Sequence, residues 1–168
     1  QRCFTLVAVA TPLLAGSAHG TNSINIGIDL DRSTSTGCTR TFTDAGGTTS
    51  VPGLERLVEI SFDPTPPAQV MSLFVYDCDG TDFSGVVYET TGAWPLAIGE
   101  GVGGSDVIEL AVSEASLDNP TSIAIVAGAT IEGLDVDALL TTDGTATGSP
   151  ISLDASAPVP ALSVWATA

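Results

Sequence analysis

Residues 23–30 read SINIGIDL, and isoleucines at positions 24, 26 and 28 alternate there with small or polar residues. A period of two is typical of a β-strand, because successive side chains point to opposite faces of a sheet. Similar short runs return along the rest of the chain. They cover residues 38–43, 56–62, 70–76, 86–90, 106–112 and 122–127, with weaker ones near Ile151 and Leu162. We therefore expect an all-β chain.

Glycine and proline separate these runs. The chain has 18 glycines and 10 prolines in 168 residues, and turn signals recur at intervals of roughly eight to twelve residues. The nearest approach to helical periodicity, residues 134–140, is short and lies between glycines. Eight to ten short strands without helices predict a sandwich or barrel. We expect residues 1–168 to form one antiparallel β-sandwich of jelly-roll or immunoglobulin-like type.

The charge of the chain limits its partners. The chain contains 20 acidic residues, four arginines and no lysine, which gives a formal net charge of −16. Such a surface repels phosphate backbones and anionic lipid, so we expect no nucleic-acid partner. No run reaches the roughly 18 apolar residues that a membrane-spanning helix needs, and we expect no membrane insertion. The same acidity favours solubility in salt and attracts divalent cations.

The three cysteines, Cys3, Cys38 and Cys78, lack the spacings of zinc, thioredoxin-like or c-type haem motifs. In an exported domain the natural pair is Cys38 with Cys78. Closing a loop of that length stabilises a fold by about 3–4 kcal/mol in the chain-entropy model. Cys3 is then left over, either as a buried free thiol or as a bond to another chain.

Residues 4–18, FTLVAVATPLLAGSA, admit three interpretations. An apolar run before small residues is typical of a secretory signal peptide. The junction RCFTLV resembles the RGFTLV start of type IV pilins, although Cys3 and Ala8 replace the glycine and the glutamate of that family. The third interpretation is a β-strand with two apolar faces, which is buried on both. We favour the strand, over residues 3–14.

The C-terminal residues 158–165 read PVPALSVW. They resemble the start of the short bacterial sorting signals of the IPTL type, without the apolar helix and the basic tail that complete such a signal. This resemblance implies a protein sorted to the cell surface. A final strand within residues 159–167 is an equally direct interpretation, and the two are compatible.

Two further segments resemble secreted sandwich domains related to carbohydrate-binding and DOMON-type modules. Residues 28–37, IDLDRSTSTG, are similar to the IDxDxxxxTG turn of these domains, and residues 106–119, DVIELAVSEASLDN, to a later strand and turn. The resemblance implies a jelly-roll-like sandwich whose opening strand would lie upstream of Gln1. It transfers no binding residues, because the sequence shows no aromatic platform for sugars.

The sequence offers little for catalysis and more for a metal. His19 is the single histidine, no lysine can replace it as a base, and the GxSxG motif is absent. We therefore expect no enzyme. Asp77, Asp79 and Asp82 surround a glycine turn with the carboxylate oxygens that Ca²⁺ prefers, and Asp29 and Asp31 could join them. The alternative is a solvated turn, since Asp and Gly favour turns for backbone reasons.

Two functions remain open. The first is an extracellular structural subunit that polymerises into a pilus-like surface filament or layer, because a sandwich without its opening strand has an edge that recruits strands from neighbours. The assembly residues would be Phe4, Leu6, Val7, Val9, Leu162 and Trp165, in terminal strands 3–14 and 159–167 exchanged between copies. The alternative is a monomeric, surface-anchored module that binds carbohydrate or protein, with calcium as a stabilising ion.

Overall fold

The computed structural model describes residues 3–10, 22–44, 47–63, 69–90, 96–100, 106–131, 134–139, 151–152 and 161–165. The regular secondary structure of these residues consists of β-strands and one 3₁₀ turn, Glu114–Leu117. The all-β prediction is confirmed. The strands are β1 Cys3–Ala10, β2 Asn22–Asp29, β3 Cys38–Asp44, β4 Gly47–Leu54, β5 Arg56–Asp63, β6 Gln69–Cys78, β7 Phe83–Thr90, β8 Leu96–Glu100, β9 Asp106–Ser113, β10 Ser122–Ile131, β11 Leu134–Leu139, β12 Ile151–Ser152 and β13 Ala161–Trp165.

The strands pair into one large sheet, one smaller sheet and a hairpin. The large sheet has the order β11-β10-β2-β5-β6-β7, with β12 also beside β10, and its neighbours are antiparallel. The smaller sheet has the order β13-β1-β9-β8, in which β1 and β13 run parallel. Strands β3 and β4 form a separate antiparallel hairpin. Among the described residues, no helix is long and apolar enough to cross a bilayer.

The isoleucines of β2 lie at the centre of the core. Directly paired residues of neighbouring strands share a face of the sheet, so the register aligns Ile26 with Val58 of β5 and, one strand further, with Val75 of β6. The side chains of this apolar face are almost completely buried. They are Ile24, Ile26, Ile28, Val58, Ile60, Leu73, Val75 and Ile125. Alternation in the sequence thus translates directly into one buried face.

The opposite face of the large sheet is covered in part by the β3–β4 hairpin. Phe42, Val51 and Leu54 of the hairpin form an apolar cluster with Ala124 and Val126 of β10. Gly27 allows this close approach, because a Cβ atom at that position would lie 2.6 Å from Leu54 Cδ1 and 2.9 Å from Val126 Cγ1. The glycine in SINIGIDL therefore marks where the hairpin packs against β2.

The chain changes from the hairpin to the large sheet at one residue, Glu55, which separates β4 from β5. Its N–H donates to the carbonyl oxygen of Ile28 at 3.0 Å, and its carbonyl oxygen accepts from the N–H of Cys78 at 3.0 Å. The corner is therefore hydrogen-bonded to the strands on both sides. We call this residue and its surroundings the Glu55 corner.

Two further links surround the Glu55 corner. The predicted Cys38–Cys78 disulfide is present, with Cα atoms 5.6 Å apart, and it joins the start of β3 to the end of β6. Arg56, only 6% exposed, forms ion pairs with Asp77 and Asp118. Its guanidinium also donates to the carbonyl oxygens of Glu55, at 3.1 Å, and Ser116, at 3.2 Å. These contacts hold β5, β6 and the 3₁₀ turn together.

Every sequence run proposed as a strand overlaps one, but three strands were not expected. Strand β4 contains Pro52 and Gly53, β8 is short, and β11 covers the run in which helical periodicity was considered. Strand β1 confirms the extended interpretation over residues 3–10, whereas residues 11–14, 158–160 and His19 lie outside the described residues. The sandwich topology remains a prediction.

The pairing of β1 differs from what the assembly hypothesis assumed. One edge of β1 pairs with β9, with Leu6 opposite Leu110, and the other pairs with β13, with Leu6 opposite Leu162 and Val9 opposite Trp165. Both edges are thus hydrogen-bonded within the chain. The vacant edge that was expected to recruit a neighbour is not present beside β1, and strand exchange loses that argument.

Candidate functional site

The loop predicted to bind calcium has its carboxylates engaged by other groups. Asp77 pairs with Arg56. Asp79 Oδ1 accepts the N–H groups of Thr81 at 2.9 Å and Asp82 at 3.0 Å, while its Oδ2 accepts the Ser84 hydroxyl at 2.9 Å. These hydrogen bonds, with that of Asp82 first and Ser84 second, lower the pKa of Asp79.

The remaining carboxylate of this loop, Asp82, accepts the N–H of Phe83 at 2.8 Å. Within the described part of the chain, the only acidic group of three with ligand atoms close together is a different one. The structure therefore does not bring Asp77, Asp79 and Asp82 into one site. Asp79 closes a turn by accepting backbone N–H groups, as aspartate commonly does.

The group that does come together is Asp29, Asp31 and Glu55. One carboxylate oxygen from each lies within 4.8 Å of the others. Asp29 ends β2 and is 8% exposed, Asp31 is exposed in the following turn, and Glu55 is half-buried at the corner between β4 and β5. We call these three residues the acidic cluster. Asp29 and Asp31 were expected to contribute to a metal site; Glu55 was not.

Local hydrogen bonds orient the two aspartates. Asp29 Oδ1 accepts the N–H groups of Asp31 and Arg32, and Arg32 adopts a left-handed conformation with φ of 63°. Asp31 accepts the N–H of Ser33 at 2.8 Å and the Thr36 hydroxyl at 2.9 Å. The IDLDRSTSTG segment thus folds into a tight turn that returns Asp31 toward β2.

Glu55 has one engaged and one isolated oxygen. Its Oε2 accepts the N–H of Leu30 at 2.7 Å, whereas Oε1 is buried and has no hydrogen-bond partner. Burial raises the pKa of Glu55, and the negative charges of Asp31 and Asp29 raise it further. The N–H of Leu30 offsets part of this rise, as does the nearby Thr36 hydroxyl, which also lies within hydrogen-bond distance of Asp31.

The acidic cluster therefore brings three carboxylates together, and one of their oxygens, Glu55 Oε1, is buried without a hydrogen-bond donor. Calcium accepts six to eight oxygen ligands from carboxylates, carbonyls and water in flexible geometry. The cluster fits such a hard cation through its oxygens, and a proton on Glu55 is the alternative way to reduce the repulsion. Sequence spacing could not reveal Glu55, because it is 24 residues beyond Asp31 and arrives by strand pairing.

A second candidate region lies on the large sheet, beyond the part that the hairpin covers. The register places Asn25 of β2, Glu59 of β5 and Phe74 of β6 in one row across the sheet. The next row is Ser23, Ser61 and Ser72. Apart from Asn25, these side chains are half-buried, as in a sheet face that solvent reaches. We call these six residues the polar face.

Asn25 is the unusual member of the polar face. It is only 4% exposed, its Nδ2 donates to the Ser23 hydroxyl at 3.4 Å, and its Oδ1 is buried without a partner. A buried acceptor without a donor costs about 1–3 kcal/mol. Two strands away, Phe74 of this face stacks on Tyr76, with ring centroids 5.6 Å apart. The face thus combines an aromatic ring with an unsatisfied amide oxygen.

Three comparisons with known proteins, against protein-family models, curated proteins and solved structures, found no match for the chain. The resemblances to carbohydrate-binding and DOMON-type modules and to the IPTL signal stay predictions.

Glu55→Gln should change how stability depends on pH. Because the pKa of Glu55 is raised in the folded state, its contribution to stability is largest in acid and is lost as pH rises from its ordinary value through the raised one. Glutamine removes the negative charge and keeps an oxygen for the N–H of Leu30. We expect the variant to have a higher free energy of unfolding than the parent at neutral pH, with the difference vanishing in acid.

The measurement is urea unfolding between pH 4 and pH 8 in the presence of a chelator. Glu59→Gln is the matched control, because it makes the same change on the strand that follows Glu55, outside the acidic cluster. A Glu55→Gln variant that is less stable than the parent at neutral pH would contradict the expected repulsion.

Proposed function

We propose that this chain is an extracytoplasmic, non-catalytic binding domain that takes its ligand on the polar face of the large sheet. The observation that carries the proposal is Asn25. The residue is 96% buried and its Oδ1 has no donor, next to side chains that solvent still reaches. A polar atom left in this state in a native protein needs an explanation, and a ligand toward which the Asn25 side chain turns supplies one.

The location is supported by the disulfide. Disulfides persist in oxidising compartments and are rare in the cytosol. The absence of catalysis is supported by the composition, with one histidine and no lysine in the chain. A net charge of −16 suits a domain that stays soluble and turns away nucleic acid. This proposal agrees with the resemblance to secreted binding modules.

We also propose that a divalent cation stabilises the acidic cluster. The Glu55 corner lies where the hairpin joins the large sheet, so a cation there would offset the repulsion between three carboxylates at a structural junction. Arg56 does not serve this purpose, because its guanidinium is directed at Asp77, Asp118 and two carbonyl oxygens. Calcium is the best candidate by ligand type.

Calcium should raise the thermal midpoint of the parent protein, because a ligand that binds only the folded state stabilises it by mass action. Glu55→Gln should abolish most of this response. Asp79→Ala should retain it, because Asp79 closes its own turn away from the acidic cluster. Differential scanning calorimetry at stepped calcium concentrations makes the comparison. A flat response of the parent protein, or a response lost in Asp79→Ala alone, contradicts the assignment.

Asn25→Leu tests the binding domain itself. Leucine fills a similar volume and removes the unsatisfied oxygen, so we expect stability to be kept or raised by about 1–3 kcal/mol while ligand binding is lost. Parent and variant are compared by urea unfolding and on combined glycan and peptide arrays. Asn22→Leu is the control, on the same strand but on the apolar face. It should lower stability and leave binding by the folded protein intact.

A parent protein that binds nothing on either array, or an Asn25→Leu variant that binds as the parent does, contradicts the proposed function.

One observation favours a second function, the self-assembling subunit. Strands β1 and β13 lie side by side and parallel in the smaller sheet, and neither strand contains a charged residue. Identical strands can be exchanged between copies with the same pairings, which is a low-cost route to assembly. An uncharged contact would also limit repulsion between copies that each carry −16.

The assembly hypothesis predicts particles far larger than 16.9 kDa that persist on dilution, measured by light scattering after size exclusion. A synthetic peptide of residues 3–10, present during refolding, should cap the exchange and yield monomers. A chain that is monomeric at all concentrations contradicts assembly and leaves the binding domain as the remaining function.

A further inference from the structure

We infer that the outer edge of β7 binds an extended, cationic polypeptide segment of a partner protein, which adds to the large sheet as a further strand. This edge is distinct from the polar face, so it gives the molecule a second binding surface. Three features of β7 support the inference: its open edge, its exposed valines and the carboxylates at its start.

The edge of β7 is open. Strand β7, Phe83–Thr90, is the last strand of the large sheet, and among the described residues its strand partner is β6 alone. Residues 84–87 are all exposed. At the opposite edge of the sheet, by contrast, β3 of the hairpin lies beside β11. An edge strand directs N–H and C=O groups away from its neighbour, and an added strand can pair with them.

The open edge carries apolar side chains. Val86 and Val87 are 48% and 43% exposed, and with Met71 they are the exposed large apolar residues in the described part of the chain. Phe83 is instead partly buried against the apolar cluster of the hairpin and β10, which holds the start of β7 in place. Apolar side chains of an incoming strand would remove both valines from water, and that burial stabilises the complex.

The start of β7 is negatively charged. Asp79 and Asp82 are exposed in the turn that leads from β6 into β7. Arg56, which is buried, is engaged by Asp77 and Asp118. Among the described residues, neither Asp79 nor Asp82 has a cationic partner. Lysine or arginine side chains of an incoming segment would supply one, and such complementarity selects the partner and speeds its association.

A second copy of this chain fits the edge poorly. Two copies that each carry a charge of −16 repel one another. In addition, Ser84 and Val87 have no residues opposite them in β6. Bulges of this kind bend a strand and protect a sheet edge from pairing with another rigid edge. An extended segment that is not part of a sheet can follow the bend, and a basic one is attracted by the charge that repels a second copy.

Isothermal titration calorimetry of the full chain with three heptapeptides tests the inference. They are KVKVKVK, its acidic analogue EVEVEVE, and KVKVKVK with every backbone N–H methylated. We expect KVKVKVK to bind and EVEVEVE not to bind. The methylated peptide keeps the charge and the side chains but has no backbone donors, so it should bind more weakly by about tenfold or more. Equal affinity of the two cationic peptides means that charge alone attracts them, which overturns strand addition.

Protein variants locate the site. The double variant Val86→Thr/Val87→Thr keeps the shape of both side chains, replaces one methyl group of each by a hydroxyl, and should weaken the binding of KVKVKVK by about tenfold. Met71→Gln, at the exposed Met71 of β6, is its control and should bind as the parent does. Asp82→Asn should weaken binding by about twofold to fivefold. Asp63→Asn, exposed at the far end of β5, makes the same change in net charge and should not.

Unfolding curves of each variant ensure that a loss of affinity belongs to binding by folded protein. If KVKVKVK does not bind, or binds the double valine variant as it binds the parent, the inference is wrong. Sedimentation equilibrium of the free protein tests the second copy: a dimer that the valine substitutions abolish assigns the edge to self-association instead. Asn25→Leu should bind KVKVKVK as the parent does, and a loss there would place the peptide on the polar face and contradict the edge.

Discussion

The arrangement of this protein depends on a single residue, at which one extended chain leaves the hairpin and enters the large sheet. A corner between sheets normally interrupts hydrogen bonding, and a buried backbone group without a partner costs free energy. Glu55 avoids that cost in both directions, because its N–H bonds to β2 and its carbonyl oxygen to β6. The position of the hairpin over β2 is thereby determined by the ladder of the sheet itself.

The chemistry around the corner follows from this geometry. Arg56, the first residue of β5, is brought beneath the surface, and its ion pairs with Asp77 and Asp118 satisfy a charge that could not remain alone there. The disulfide joins the hairpin to the strand that Glu55 contacts, Cys78 being both its hydrogen-bond donor and the partner of Cys38. The same corner places the Glu55 carboxyl against Asp29 and Asp31. The residue whose backbone links the hairpin to the large sheet is therefore also the one whose side chain is repelled by two neighbouring carboxylates.

The sequence predicts those features that depend on local alternation and misses those that depend on pairing. The period of two in SINIGIDL was enough to place β2 and its buried face, and Cys38 was paired with Cys78 as the natural disulfide of an exported domain. Strand β4 was missed because Pro52 and Gly53 read as a turn. The acidic cluster was predicted in part, since Asp29 and Asp31 are two residues apart in the sequence, but Glu55 reaches them through a strand register that no spacing shows.

The polar face was missed for the same reason, and β2 shows why. The isoleucines at positions 24, 26 and 28 all belong to the buried apolar face, whereas the odd positions, Ser23, Asn25, Gly27 and Asp29, have three different roles. Gly27 admits Leu54 of the hairpin, Asp29 enters the acidic cluster, and Asn25 joins the polar face only where the hairpin no longer covers the sheet. In the sequence these residues are simply the small or polar half of an alternation. Their different environments arise because the hairpin packs on one end of the sheet face, whereas the side chains around Asn25 at the other end are half-buried.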